Sequence, residues 1–313
     1  MDTVILGRTG LRVSAGGLGG GGFSRLGIDE LGAEHAAGIV RAAYDGGVTF
    51  FDTAMAYGTE SAVGLGLNGV PRDKYAVSTK VSCGKPDGTF ISPEELSGLL
   101  DESLRRLGTD YVDVYHLHAV TAEDYKRVSE TLVPALIKAR ERGKIRFPGI
   151  TERFFADTAH KMLPMALRDG FFDVVMTGYN ILNPSAAAAV LPAAREKNIA
   201  VLCMFAVRNA LRGGEALKTE IGRIISAGQG DAELLRRYGA LDFVTSSGAA
   251  RSLTEAAYRF CRHTPGITVT LTGTKNRAHL LENLAALDMP PLPGDILARL
   301  EALFGGVDCV SGQ

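Results

Sequence analysis

The chain has few cysteines, no surplus of charge of either sign and no long apolar run. Each shortage removes a class of function. Its 313 residues include four cysteines, Cys83, Cys203, Cys261 and Cys309, far apart and without a C-x-x-C pair. That spacing suits neither a metal site nor a disulfide framework, and points to buried thiols in a reducing cytoplasm. Lys and Arg number 34 against 35 Asp and Glu, a formal net charge of -1. The basic residues are scattered, so no strong field favours nucleic acid or an anionic membrane surface. No apolar run approaches the ~20 residues of a membrane span. The opening MDTVILGRTGLRVS lacks a basic start followed by a long apolar stretch, so no secretory leader is expected. Low-complexity linkers and sequence-level repeats are missing too. These absences leave a cytoplasmic protein acting on a small molecule, with no nucleic-acid or membrane partner and no indication of oligomeric state.

What is present is apolar residues at 46% and 38 glycines, enough for one large core and many tight turns. TVILG and LRVSAGG flank RTG and read as a hairpin. Strands and helices then alternate. EHAAGIVRAAYDGG has helical apolar spacing and stops at glycines; VTFFDTA reads as a buried strand; TESAVGLGLNG is helical; YAVSTKV is the next strand. SPEELSGLLDESLRRLG has an N-cap at Ser92, a proline at the first helical position and a glycine stop at Gly108. YVDVYHLHAV, a long helix over roughly 122–142, and the strands IRFPGIT, FDVVMTGY, IAVLCMF and ITVTLTG complete the series. Counting from SAGGLGG gives about eight strands alternating with about eight helices, which predicts an α/β fold. Its simplest form is one (β/α)8 TIM barrel spanning 1–313, with the N-terminal β-hairpin and a C-terminal helix over 294–304. The long connection at about 207–250 carries the short helices GEALKTEIGRIISAG and DAELLRRYG, and such an insertion is a usual place for a substrate lid.

GGLGGGGF, Gly16 to Phe23, offers a competing reading, because Gly17, Gly19 and Gly22 fit G-x-G-x-x-G. A dinucleotide fingerprint runs straight from strand into helix, whereas here FSRLGIDELG intervenes. The acidic Asp52 lies thirty residues past Gly22, where about twenty is usual. The glycines suit better a first barrel strand whose end must leave room for a flat ligand ring.

Three ionisable residues end apolar strands: Asp52 after VTFF, Lys80 after YAVST and His118 after VDVYHL. In a parallel barrel those ends share one pocket. Tyr57, five residues past Asp52, can lean over the same mouth. Singly each has a plain structural explanation: a turn-capping acid, a snorkelling lysine, a packed loop aromatic, an interior histidine. Together they suit proton transfer to a carbonyl that receives hydride. A phenol titrates near ~10 and gives up its proton reluctantly. An ammonium beside it lowers that value, a carboxylate behind the ammonium keeps it charged, and an imidazole orients the carbonyl oxygen.

These residues sit in segments that resemble the aldo-keto reductases: LGRTGLRVSAGGLG, FFDTAMAYGTESAVGLGL, VSTKV, DVYHLHAV, GKIRFPGIT, VMTGYN and TGTKNRAHLLENL. The likeness covers nearly the whole chain. It implies an eight-stranded barrel, a nicotinamide cofactor lying extended across its mouth, and a catalytic tetrad at Asp52, Tyr57, Lys80 and His118. His116, two residues earlier on the same strand face, ranks second to His118. Gly20, Gly21 and Asp52 border the same mouth and join the cofactor candidates.

The resemblance carries over less cleanly to the rest of the cofactor site. Thr151 is placed near the carboxamide. Glu152 stands where the family commonly has Asn and would accept from the carboxamide NH2, leaving Thr151 to donate. Met176 replaces the family's Gln, and Met204 or Phe205 stands nearest to the missing stacking tyrosine. Gly273, Thr274, Lys275 and Asn276 offer N–H groups and a cation at a helix start, a natural phosphate site. His279, Glu282 and Asn283 fall where the family meets the adenosine, and Arg208 falls where it can touch the pyrophosphate. Lys275 favours a 2'-phosphate and therefore NADP, with NAD the alternative. Two other functions fit the residues: a Schiff-base aldolase through Lys80, and a cofactor-sensing subunit with little turnover. The substrate, a carbonyl or sugar, is not legible.

Overall fold

The computed structural model describes residues 1–313. Strands β1 (Thr3–Ile5) and β2 (Arg12–Ser14) form the antiparallel hairpin. Eight parallel strands follow: β3 (Gly16–Gly19), β4 (Phe50–Asp52), β5 (Ala76–Ser82), β6 (Val112–Val120), β7 (Ile145–Glu152), β8 (Val174–Gly178), β9 (Ala200–Met204) and β10 (Val269–Thr272). They close in the order β10-β3-β4-β5-β6-β7-β8-β9, each beside its sequence neighbour. That order is a barrel and excludes the open sheet of a Rossmann protein.

The helices are α1 (Ile28–Asp45), α2 (Glu60–Gly66), α3 (Pro93–Leu107), α4 (Ala122–Glu141), α5 (Met162–Asp169), α6 (Ala186–Ala189) and α7 (Leu191–Glu196). After β9 come α8 (Glu215–Ser226), α9 (Ala232–Tyr238), α10 (Asp242–Ser246) and α11 (Leu253–Arg262), then α12 (Arg277–Asp288) and α13 (Gly294–Phe304). None is long and apolar enough to cross a membrane. Helix α3 shows why the termini were readable. Ser92 Oγ accepts from the Glu95 amide, Glu95 accepts from the Ser92 amide, and Gly108 closes the helix at φ 65°.

Three apolar clusters set the position of the site. The largest lies between strands and surrounding helices. A small one fills the barrel interior with Phe50, Val114, Val174, Met176, Leu202 and Val269, and Leu6 and Val13 of the hairpin region pack into it. The hairpin end is thereby plugged with hydrocarbon, and the polar strand ends are left at the opposite rim. The third cluster unites α8, α9 and α13 with Ile181, Leu182 and the C-terminal segment around Val307 and Val310. The connection at 207–250 is therefore a packed helical layer rather than a loose flap. The C-terminal segment is tied to it: the amide of Ala210 donates to the Gly312 carbonyl at 3.1 Å, and the Gly312 amide donates to Glu220 Oε2 at 3.1 Å.

Candidate active site

Lys80 is fully buried in the barrel mouth. Its Nζ donates to Asp52 Oδ2 at 2.6 Å and to the Thr53 carbonyl at 2.8 Å. Ser78, two residues earlier on the same strand face, donates to the other Asp52 oxygen. Burial, the largest single influence, works against the charge on Lys80; Asp52 and Tyr57 together more than offset it, and the ammonium titrates above its ordinary range. A buried ion pair whose remaining valences are satisfied survives the loss of hydration.

Tyr57 closes a short 3-10 turn over Met55–Tyr57, which stops at Gly58 (φ 73°). Its ring lies 4.9 Å from Lys80 Nζ, and its hydroxyl is 3.2 Å from His118 Nε2. The two rings meet edge to face at 85°. An ammonium beside a phenol lowers its pKa when nothing else intervenes. Burial is the stronger effect, and despite Lys80 the phenol titrates above 10. The same burial, helped by Lys80, pulls His118 down to about 3. Near neutrality the site holds a protonated phenol, a neutral imidazole and a charged ammonium, a set able to give a proton to an oxygen placed between Tyr57 and His118.

His118 depends on a bulge. The register of β6 against β7 shifts between Leu117 and Val120, and Ala119 adopts φ 54°. Thr151 Oγ1 accepts from the displaced Ala119 amide at 2.8 Å. As an acceptor Thr151 is engaged; its own hydroxyl proton is left to donate. His116 lies deeper, fully buried, with neither ring nitrogen hydrogen-bonded. A Cβ on Gly149 would stand 2.3 Å from its Nδ1, so that glycine admits the ring.

Three expectations for the surroundings need correction. Gly20 and Gly21 do not leave empty room for a ligand: a Cβ would stand 2.5 Å from Thr59 Oγ1 at Gly20 and 2.7 Å from the Tyr57 ring at Gly21. These glycines let the chain's own side chains in. Glu152 is not available to a carboxamide. It is 2% exposed and accepts from Thr177 Oγ1 at 2.9 Å, from the Gly178 amide at 2.8 Å and from His160 Nδ1 at 3.0 Å. Nor are all four amides at the start of α12 open, because that of Asn276 donates to Thr274 Oγ1 at 3.1 Å.

The remaining candidates are dispersed along the rim. Gly273 approaches the Gly19 carbonyl so closely that a Cβ would stand 2.7 Å from it. Asn276 N donates to Thr274 Oγ1, and Asn283 Nδ2 donates to Thr272 Oγ1. His279 and Glu282 are exposed, Met204 is half-buried and Met176 belongs to the barrel interior. Phe205 (φ 67°) joins Phe154 and Phe155, and the Arg208 guanidinium lies 4.2 Å from the Phe205 ring and 4.6 Å from that of Phe155. Arg208 is 8% exposed, its Nε has no partner, and burial lowers it to about 10 against the pull of Glu220. An orphaned, desolvated donor suits an anion such as a pyrophosphate. These residues fit a dinucleotide at its phosphate end. At the nicotinamide end the hydroxyl proton of Thr151 is the donor left.

The family model for the "Aldo/keto reductase family" matches residues 17–304. The chain belongs to the aldo-keto reductase family. It is an NAD(P)-dependent oxidoreductase. It is 34% identical to an L-galactose dehydrogenase of Arabidopsis thaliana over 207 residues, 63% of this chain and 62% of that protein. The match thus spans less than two thirds of the plant enzyme. It is 28% identical to a D-threo-aldose 1-dehydrogenase of a Pseudomonas species, over 90% of this chain and 92% of that one. The fold superposes on an aldo/keto reductase of Klebsiella pneumoniae, solved in complex with NADP and acetate, with a TM-score of 0.71 at 22% identity, covering 98% and 97% of the two chains. Membership of this family, rather than the state of Lys80, favours the oxidoreductase over the aldolase reading.

Sequence reasoning missed Thr53, Ser78 and His160 as partners of the site residues. Ser78 carried a signal, the strand period that places it on the face of Lys80. His160 carried none, because its contact with Glu152 is created only by folding.

Proposed function

We propose that this aldo-keto reductase interconverts a sugar lactol or another small carbonyl with its alcohol or oxidised product, using NADP. The observation that carries the reading is the Tyr57 hydroxyl, hydrogen-bonded at 3.2 Å to a neutral His118 and backed by a buried Lys80–Asp52 pair. In this reading the cofactor, when bound, supplies or accepts hydride. His118 holds the carbonyl oxygen beside the phenol, and Tyr57 gives its proton to that oxygen in reduction and takes it back in oxidation. Lys80 stabilises the phenolate, and Asp52 keeps Lys80 charged and aimed. Arg208 takes the pyrophosphate, Lys275 the 2'-phosphate, and Thr151 the carboxamide oxygen.

The names of two relatives, a galactose and an aldose dehydrogenase, support a polyhydroxy substrate. The test is a panel of aldoses, simple aldehydes and ketones, followed by nicotinamide absorbance in both directions with both cofactors. Turnover of sugars with NADP supports the proposal. Turnover only of apolar carbonyls, or with NAD alone, contradicts it.

A further inference from the structure

Lys275 does not present a free ammonium to the cofactor. Its Nζ is hydrogen-bonded to the carboxylate of Glu30, from the opposite end of the sequence. Glu30 lies in the turn at the head of α1, set off from the rest of that helix by Gly32 (φ 84°, ψ 173°). Two contacts from residues flanking that turn dock it on the loop of Lys275. His35 Nε2 is 2.8 Å from the Lys275 carbonyl oxygen, and a Cβ on Gly27 would stand 3.0 Å from Lys275 Cβ. His35 and Gly27 fix the backbone of Lys275, while Glu30 touches only its charged head. The neighbouring Asp29 is paired with Arg25.

The Lys275 and Glu30 side chains are 42% and 63% exposed. An exposed pair of this kind is weakly held, and a phosphate with its greater charge and three acceptor oxygens can displace a carboxylate. Displacement still leaves the Glu30 charge close to the incoming phosphate, where like charges repel. A ribose that carries only hydroxyls meets no such penalty, because a hydroxyl donates to a carboxylate that stays where it is.

We propose that Glu30 is an internal competitor for the 2'-phosphate. It holds Lys275 when the cofactor is absent, has to release it for NADP and need not for NAD, and so narrows the preference between the two. The proposal rests on the reading of Lys275 as the 2'-phosphate contact. It makes Glu30, which lies outside the catalytic cluster, a determinant of cofactor specificity.

Isothermal titration of NADP+, NAD+, 2',5'-ADP and 5'-AMP into wild type, Glu30→Gln, Glu30→Ala, Lys275→Met and the Glu30→Gln/Lys275→Met double variant tests it without turnover. Both Glu30 variants are expected to bind NADP+ and 2',5'-ADP about 2–5-fold more tightly, the range for one exposed charge interaction, with NAD+ and 5'-AMP nearly unchanged. In the Lys275→Met background the gain should disappear. If Lys275→Met weakens NADP+ selectively while neither Glu30 variant tightens it, the competitor role is overturned and the Lys275 reading stands. If Lys275→Met leaves NADP+ as in wild type, the Lys275 reading falls and the competitor role with it.

Discussion

Tyr57 and His118 meet at 3.2 Å across the barrel mouth, phenol hydroxyl to imidazole Nε2, although they lie on different strand-end segments. The contact holds because each ring is placed by something else: Tyr57 by the turn that follows β4, His118 by the bulge in β6. Both supports can be perturbed separately.

Gly21, in the segment after β3, packs against the ring that the first support places. A Cβ there would stand 2.7 Å from the Tyr57 ring, closer than real contacts allow. Gly21→Ala should push the phenol from His118 and lower turnover by about tenfold or more, as sub-ångström misplacement of reacting groups does. The fold should survive, because Gly21 is partly exposed and outside the sheet. Kinetics alongside a urea melt checks this; unchanged turnover would mean that the ring shifts without cost.

Thr151 supports the other ring. Thr151→Val leaves the Ala119 amide without its acceptor. A fully buried donor left unpaired costs about 1–3 kcal/mol, and for the half-buried Ala119 amide the lower end applies. Both stability and turnover should fall, and Thr151→Ser should restore both. A Val variant with wild-type stability and turnover would show that the bulge holds without the threonine.

Acid sensitivity follows from His118. It titrates at about 3 when folded, against 6.5 for the free side chain. The folded value is depressed, so below pH 6.5 the unfolded chain binds a proton that the folded chain refuses. The stabilisation is complete above that value and is lost as the pH falls toward 3, by up to ~1.4 kcal/mol per pH unit. His116, also depressed by burial, acts in the same direction. Urea midpoints at pH about 7.5 and about 5 should drop more for wild type than for His118→Gln. Equal drops would mean that His118 is free to protonate in the folded protein.

Lys80 and Asp52 form the pair most costly to break singly. Lys80→Met leaves a buried carboxylate without its cation and should cost about 3–5 kcal/mol. Asp52→Asn/Lys80→Met, which removes both charges, should recover part of that loss. The two urea melts decide; equal stability of single and double variants would mean that the pair is not buried together in solution.

The barrel was legible because its signals are local and redundant. The alternation of strand and helix, the Ser92 cap with its Gly108 stop, and the interval from Asp52 to Tyr57 all lie within short windows. The gathering of Asp52, Tyr57, Lys80 and His118 was legible for the same reason, since strand ends mark the mouth and the period of two marks the face. What was not legible came from contacts distant in sequence. Nothing near Glu152 announces His160 and Gly178 as its partners, and nothing near Lys275 announces Glu30. The glycine run was misjudged in cause because a glycine's role depends on which side chain arrives beside it, here Thr59 and Tyr57. The pKa of Tyr57 was misjudged in direction because burial, invisible in sequence, outweighs the neighbouring ammonium.

The central claim is that the phenol of Tyr57 moves the proton, and Tyr57→Phe tests it most directly. The substitution removes one oxygen and keeps the ring against Gly21 and Lys80. Turnover of whichever carbonyl substrate the panel yields should fall by about 10²–10⁴, while the dissociation constant for NADP+, measured by titration calorimetry on the same preparation, stays within about twofold of wild type. A Phe variant that keeps near-normal turnover would contradict the account.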